Sequence, residues 1–262
     1  MSLFYNYNKE GPGISKNGPR KKTFIVFFET LFRNIWKLIP TNFMYSLLFL
    51  IPFGFSAVGM TGVTRSISRG KHTFGLSDFF STIRANLRQV FGVGFLNAVI
   101  TVVLWYDLYF FWQYSKVSDF GFFGLGVALL LNLTYLIMKF YIWFIVITFD
   151  MSVRQIYRNS FKFVMVNLKN NVLILLSLLA YWAIWFGLIA LMPTHLTMAF
   201  FSVFLIFFYP TYRYLAIQYG VFPSIKKYMI DPYYAEHPDA DIENRRKLGL
   251  DVGDEDADFS DL

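Results

Sequence analysis

Two ionisable residues, Asp107 and Lys139, interrupt apolar runs of this chain. Charges so placed in a membrane segment commonly mark ion pathways, proton relays or ligand sites. Asp107 lies about five residues from one end of its run, roughly 7 Å deep at 1.5 Å per residue. Lys139 lies about 17 residues from the corresponding end of the next run, roughly 26 Å deep. Their depths differ, so they are not expected to pair. Lys139 is near the opposite interface and long enough to snorkel to it. Asn97 stands at a similar depth on the preceding run and is the expected hydrogen-bond partner; Asn132 and Thr134 are the other mid-run polar groups. The pattern admits a structural reading, a snorkelling Lys and an interfacial Asp, and a functional one, a transport or gating role.

Other chemistry is sparse. His72, His195 and His237 fall in separate segments, without paired-His spacing, and there is no Cys. A metal centre of the usual His and thiolate type is therefore not expected. Neither a GxSxG elbow nor a GxxxxGK[ST] loop occurs. Gly121-Phe-Phe-Gly124-Leu-Gly126 follows no strand pattern and opens an apolar run, so it reads as helix packing or a hinge rather than a phosphate loop. Trp105, Tyr106, Tyr109 and Trp112, with Trp36, Tyr45, Tyr209, Tyr212 and Tyr214, cluster near the ends of runs, which is the pattern of an aromatic belt. A sugar-stacking platform near Trp105 to Trp112 or at Tyr181-Trp182 is the alternative. The residues thus suggest a non-enzymatic protein without a cofactor.

The elements that must carry these residues follow from composition. The 262 residues are 56% hydrophobic, 21% aromatic and only 16% charged, whereas a soluble domain is about 25% charged. The chain reads as an all-α, polytopic membrane helix bundle. Stretches long enough to cross a bilayer lie at about 39–64, 90–112, 122–149, 172–192 and 196–221, which gives about five spans. Between them, 23–37, 76–89 and 153–168 show the one-faced apolar pattern of helices lying in the headgroup plane. Ser77 is the expected cap of the second. Exposed Arg84 and Arg88, with Arg154, Arg158 and Lys162, form a basic surface on the second and third. The three amphipathic segments also resemble one another: Phe27-Phe28 leads to Asn34, Phe79-Phe80 to Asn86, and Phe161 to Asn167. That likeness fits either an internal repeat or a pattern that amphipathic helices share.

Charge placement sets the expected orientation. The loops around 65–88 and 150–171 carry five and four Lys/Arg, while the connections at 113–121 and 193–195 carry one and none. Both basic loops and the C-terminus are therefore expected on the cytoplasmic side of a plasma membrane. The polar, basic arm 1–22, which lacks a signal-peptide pattern, belongs on that side too. A single crossing at 39–64 conflicts with this, unless that stretch is re-entrant at Pro52-Phe-Gly54 or 23–39 also crosses. The net charge of +7 combines +15 for residues 1–230 with −8 for 231–262. The positive part needs no nucleic acid, because topology and contact with membrane lipid account for it. The negative part is expected to be a disordered cytoplasmic tail. It ends in Phe259, Ser260, Asp261 and Leu262, an apolar anchor in an acidic context that suits either a docking peptide or a solubilising end.

The stretch Ile51-Pro52-Phe-Gly-Phe-Ser-Ala-Val-Gly59-Met-Thr-Gly62-Val-Thr-Arg, followed by Ser77-Asp78-Phe79-Phe80 and Ile83-Arg-Ala-Asn86-Leu-Arg-Gln, resembles the YesL-like family of bacterial membrane proteins, a domain of unknown function. The resemblance covers roughly 25–225, and the acidic Pro-Tyr-Tyr tail resembles members from Gram-positive anaerobes. One departure is Pro40-Thr-Asn, which interrupts the apolar run before the proline. The resemblance implies a plasma-membrane protein of about five spans. It further implies an accessory role in oligosaccharide uptake by an ABC-type transporter complex or in its regulation, since such genes often neighbour sugar transporters. The family supplies no catalytic residues. A stand-alone small-solute transporter or channel is the alternative.

Overall fold

A computed structural model describes residues 22–51, 53–191 and 194–236. Among them the chain is helical and contains no strand: α1 (Thr23–Phe49), α2 (Phe55–Ser68), α3 (Leu76–Ala85), α4 (Leu87–Tyr114), α5 (Asp119–Thr148), α6 (Val153–Val166), α7 (Leu168–Leu191), α8 (His195–Phe207) and α9 (Tyr209–Ile225), then a π-helical turn (Lys226–Ile230) and α10 (Asp231–Glu236). The arm up to residue 21 and the tail from 237, with Phe259, Asp261 and Leu262, lie outside the described residues.

Helices α4, α5 and α7 are each long and apolar enough to cross a membrane, and α8 with the helix from Tyr209 to Glu236, bent by 45° at Phe208, qualifies as one further broken span. Among the described residues the bundle is that of a membrane protein with three spans, or four with the bent pair, rather than five. The difference lies in 39–64. Residues 23–49 form one helix, so there is no separate surface helix over 23–37. Pro40 is tolerated because the carbonyl it leaves unbonded, that of Trp36, is on the exposed face of α1. The chain then breaks and resumes as α2 from Gly54, whose φ of 77° suits glycine. This break packs against the lower parts of two spans: the Phe53 carbonyl covers Gly94, and Gly54 sits on the Trp143 ring. Both outer ends of the α1–α2 pair are at one end of the bundle. Thr23 and Phe24 adjoin Asn170 and Pro223, and Arg65 reaches the last carbonyls of α5.

The spans α4 and α7 begin about one turn earlier than hydropathy indicates, because the surface helices before them end at an asparagine. Asn86 (φ −117°) separates α3 from α4, and Asn167 (φ −109°) separates α6 from α7. Arg88 is consequently on α4 rather than on the surface helix. The unit of amphipathic helix, asparagine break and span thus occurs twice, while Asn34 lies inside the unbroken α1 and bonds the Thr30 carbonyl at 2.9 Å. Gly75, not Ser77, occupies the cap position of α3, where the Asp78 carboxylate accepts from the Phe74 N–H at 2.9 Å. On α6 the Ser152 and Gln155 side chains form a reciprocal capping box.

The core centres on α2, where Val58, Met60 and Val63 are fully buried together with Phe79, Tyr141, Phe144 and Ile156. Gly59 lets the Phe79 ring approach, and Gly62 does the same for Thr82, so α3 lies flat on α2. At the far end of the bundle, Gly121 and Gly124 seat α5 against Ser115 and Phe111 in the α4–α5 hairpin, a packing role. The outward faces stay apolar: α8 buries no residue, and α7 buries only Asn171 and Ile174.

In such surroundings a broken helix must find donors for its freed carbonyls. Pro210 cannot bond the Ile206 carbonyl, and the bend at Phe208 frees its neighbour. Asn42 Nδ2 donates to the Phe207 carbonyl at 2.6 Å, and Ser46 Oγ reaches that of Ile206 at 3.5 Å. Thr211 Oγ1 in turn donates to Asn42 Oδ1 at 2.8 Å. The Pro40-Thr-Asn interruption is therefore the hook that holds the α8–α9 bend. A second knot joins α5, α6, α7 and α9. The Tyr141 hydroxyl donates to Asn171 Oδ1 at 2.6 Å and accepts from Asn167 Nδ2 at 2.8 Å, while Asn171 Nδ2 serves the Phe163 and Val164 carbonyls at the end of α6.

Because the chain has no native cysteine, single introduced thiols report topology directly. Lys22→Cys and Arg158→Cys are expected to react with an impermeant maleimide from the same side of sealed vesicles, and Lys116→Cys from the other; labelling of Lys22→Cys with Lys116→Cys contradicts the described arrangement. Asn42→Leu strands a buried carbonyl and the Thr211 hydroxyl, and should lower stability by about 1–3 kcal/mol. Thermal melting of the detergent-solubilised protein measures this.

Candidate functional site

One stripe of α4 meets α5 and α6 through polar contacts one helical turn apart. Nearest the basic end, the Tyr157 hydroxyl of α6 donates to the Val93 carbonyl at 3.2 Å. The Tyr135 hydroxyl of α5 donates to Asn97 Oδ1 at 2.8 Å. Lys139 Nζ donates to Thr101 Oγ1 at 3.0 Å and lies 4.9 Å from the Tyr135 ring centre. Asn132 Nδ2 donates to the Leu104 carbonyl at 3.1 Å and to its own Ala128 carbonyl. Thr101 passes its own proton to the Asn97 carbonyl at 2.6 Å.

The expected direct contact between Asn97 and Lys139 is replaced by two linked bonds. Helical side chains lean toward their own N-terminus. Lys139 accordingly extends along α5 toward Tyr135, away from the nearer membrane boundary, and meets Thr101 one turn beyond Asn97. It does not snorkel. Its ammonium is held inside the bundle by a hydroxyl and an aromatic face, both neutral. Asp107 is six residues further along α4 than Thr101 and joins none of these bonds.

Arg213 was not singled out by the sequence. In Tyr-Arg-Tyr it reads as part of an aromatic belt, but Tyr45 and Tyr214 are interior, 7% and 5% exposed, with ring centres 5.5 Å apart. The Arg213 guanidinium lies 5.6 Å from the Tyr214 ring centre, and its Nε is buried without a hydrogen-bond partner. Tyr181 and Trp182 are also part of the protein's own packing, stacked with Trp185, Phe204, Tyr209 and Tyr212. Trp105, Tyr106, Tyr109 and Trp112 are exposed on the outward face of α4.

The second assembly is at the basic end. Arg84, Arg88, Arg154, Arg158 and Lys162 are all exposed. Arg88 borders a cavity of about 830 Å³ between the α3–α4 joint and the α5–α6 connection, with Asn86, Gln89, Asp150 and Ser152 on its walls. Gln89 Nε2 fixes that connection by donating to the carbonyls of Phe149 (3.3 Å) and Met151 (2.8 Å). Arg65 closes α5 from the other side, donating to the Ile147 carbonyl and Thr148 Oγ1 at 3.2 Å each. A cation at a helix C-terminus is favoured by the helix dipole. Burial pushes the Arg65 guanidinium down to about 10; burial and the charge of Arg65 push Arg69 down to about 8, so both remain cationic at neutral pH.

Among the described residues no group of three His, Cys, Asp or Glu could hold a metal ion. Compared with family models, curated proteins and solved structures, the chain matches none.

Thr101→Val removes the hydrogen-bond acceptor of the Lys139 ammonium and should destabilise by about 1.5–3 kcal/mol, the usual range for a bond to a charged group. Adding Lys139→Met should recover most of that loss, because the charge in need of a partner is gone. Equal melting curves for wild type and Thr101→Val would show that the bond carries nothing.

Proposed function

We propose that this chain is a non-enzymatic integral membrane accessory protein that docks a partner on its basic end. The observation that carries this reading is a polar cavity bordered by Arg88, with four further exposed cations, Arg84, Arg154, Arg158 and Lys162, on the helices that adjoin it. The cations come from three helices, α3, α4 and α6, and the cavity walls are pinned by Gln89 and Arg65. A surface needed only for topology would not require a rigid, walled shape, whereas recognition of an acidic partner surface does. The nearly unburied apolar faces of α7 and α8 suit contact with membrane lipid or with the spans of the same partner.

The basic end is the cytoplasmic one in this reading, by the positive-inside rule, with the C-terminus on the same side of a bacterial plasma membrane. The resemblance to the YesL-like family supports carbohydrate uptake of the ABC type, or its regulation, as the process served. The alternative of a stand-alone transporter draws support from the mid-depth position of Lys139 alone. Affinity purification of the full chain from native membranes in mild detergent tests the proposal. A membrane partner should co-purify, and Arg154→Glu with Arg158→Glu and Lys162→Glu should reduce its recovery several-fold without changing the melting of the protein. Recovery of the monomer alone from wild type would sink the reading.

A further inference from the structure

A second ligand site, independent of the partner reading, lies inside the bundle. Helices α5 and α9 run in the same direction, and two contacts set their register. Phe144 meets the Phe222 ring at 6.2 Å, and Tyr141 is joined through Asn167 to the Gly220 carbonyl. At that register Arg213 stands level with Tyr135, the residue over whose ring the Lys139 ammonium is placed. Arg213 is also the charged neighbour that acts on Lys139. The Lys139 ammonium and Arg213 therefore share the level of Tyr135, about thirteen and twelve residues from the C-terminal ends of α5 and α9, or roughly 20 and 18 Å at 1.5 Å per residue.

Among the described residues no carboxylate is placed to answer them. Helices α7, α8 and α9 contain no Asp or Glu; Asp119 is at the far end of α5 and Asp107 in the last two turns of α4, and Glu29 is near the start of α1. Lys139 has one hydrogen bond, to Thr101, and Arg213 Nε has none. Two like charges in an apolar bundle, supplied only with neutral hydroxyls, Thr101 for Lys139 and the Tyr45 phenol for Arg213, are costly unless an opposite charge joins them. The cations approach from different helices, so the joining group must offer several oxygens in different directions, as a tetrahedral oxyanion does.

We propose that Lys139 and Arg213 bind a phosphate group in the interior between α4, α5 and α9, with Thr101 and the phenols of Tyr45 and Tyr135 at its edge. Two sources carry phosphate, an anionic lipid headgroup and a soluble phosphate compound, and the chemistry recognised is the same.

The test uses the full-length protein in uncharged maltoside micelles. Its melting midpoint is followed in two titrations: inorganic phosphate at constant ionic strength, and phosphatidylglycerol added to the micelles. The midpoint is expected to rise with ligand concentration in one titration. A rise with phosphatidylglycerol alone identifies the lipid source, and a rise with inorganic phosphate alone identifies the soluble one. Lys139→Met and Arg213→Met should each weaken the apparent affinity about tenfold or more. Lys116→Gln, exposed on the connection at the far end of the bundle, should leave it unchanged. Lys139→Met decides the matter if Arg213→Met does not accumulate. The proposal fails if neither titration moves the midpoint, or if the rise in Lys139→Met equals that in wild type.

Discussion

The constraint on which the rest of this structure depends is that a helix interrupted inside an apolar bundle leaves carbonyls that only a neighbouring side chain can satisfy. The chain meets it repeatedly with a polar residue from a distant part of the sequence. Asn42 of α1 serves the bend between α8 and α9, and Asn171 serves the end of α6. Gln89 serves the connection after α5, and Arg65 its last turn. Each is worth far more unbroken than its net contribution suggests, because the loss of one partner strands the other. The breaks are thereby fixed in shape, and the short helices they create can present charge at one end of the bundle.

Two polar assemblies follow from this plan, and they differ in kind. At the basic end the cations are exposed, one of them, Arg88, borders a walled cavity, and the group suits a macromolecular partner. Inside, Lys139 and Arg213 are enclosed among neutral groups, and the energetic pressure is to acquire an anion. The first depends on the asparagine breaks, which turn the surface helices across the ends of their spans. The second depends on the register of α5 against α9, which the Tyr141 knot sets.

The all-helical class and the approximate places of α4, α5 and α7 were legible because a run of about 20 apolar residues has few other uses. Their true starts were not, since Asn86 and Asn167 interrupt the backbone for a single residue without disturbing the apolar period. In 23–49 the reading failed for the opposite reason. Glu29, Arg33 and Lys37 suggested a surface helix separate from the apolar run that starts at 39, yet the helix runs through with those groups outward. The polar residues near Lys139 were partly visible. Asn97 with Thr101 and Tyr135 with Lys139 both fall at a four-residue spacing, but distance along the axis locates backbones, whereas the ammonium lies a turn away from its own Cα. Arg213 was hidden by its tyrosine neighbours, whose burial only the packing of α1 on α9 decides.

Hydrogen exchange of the full chain in lipid nanodiscs, read by mass spectrometry over 206–212, tests the central claim most directly. This segment contains the bend that Asn42 holds. The account predicts that amides after Pro210 exchange as slowly as those in the flanking turns of α9 in wild type, and markedly faster in Asn42→Leu, with 119–148 unchanged. Fast exchange at the bend in wild type, or no difference between the two proteins, contradicts it.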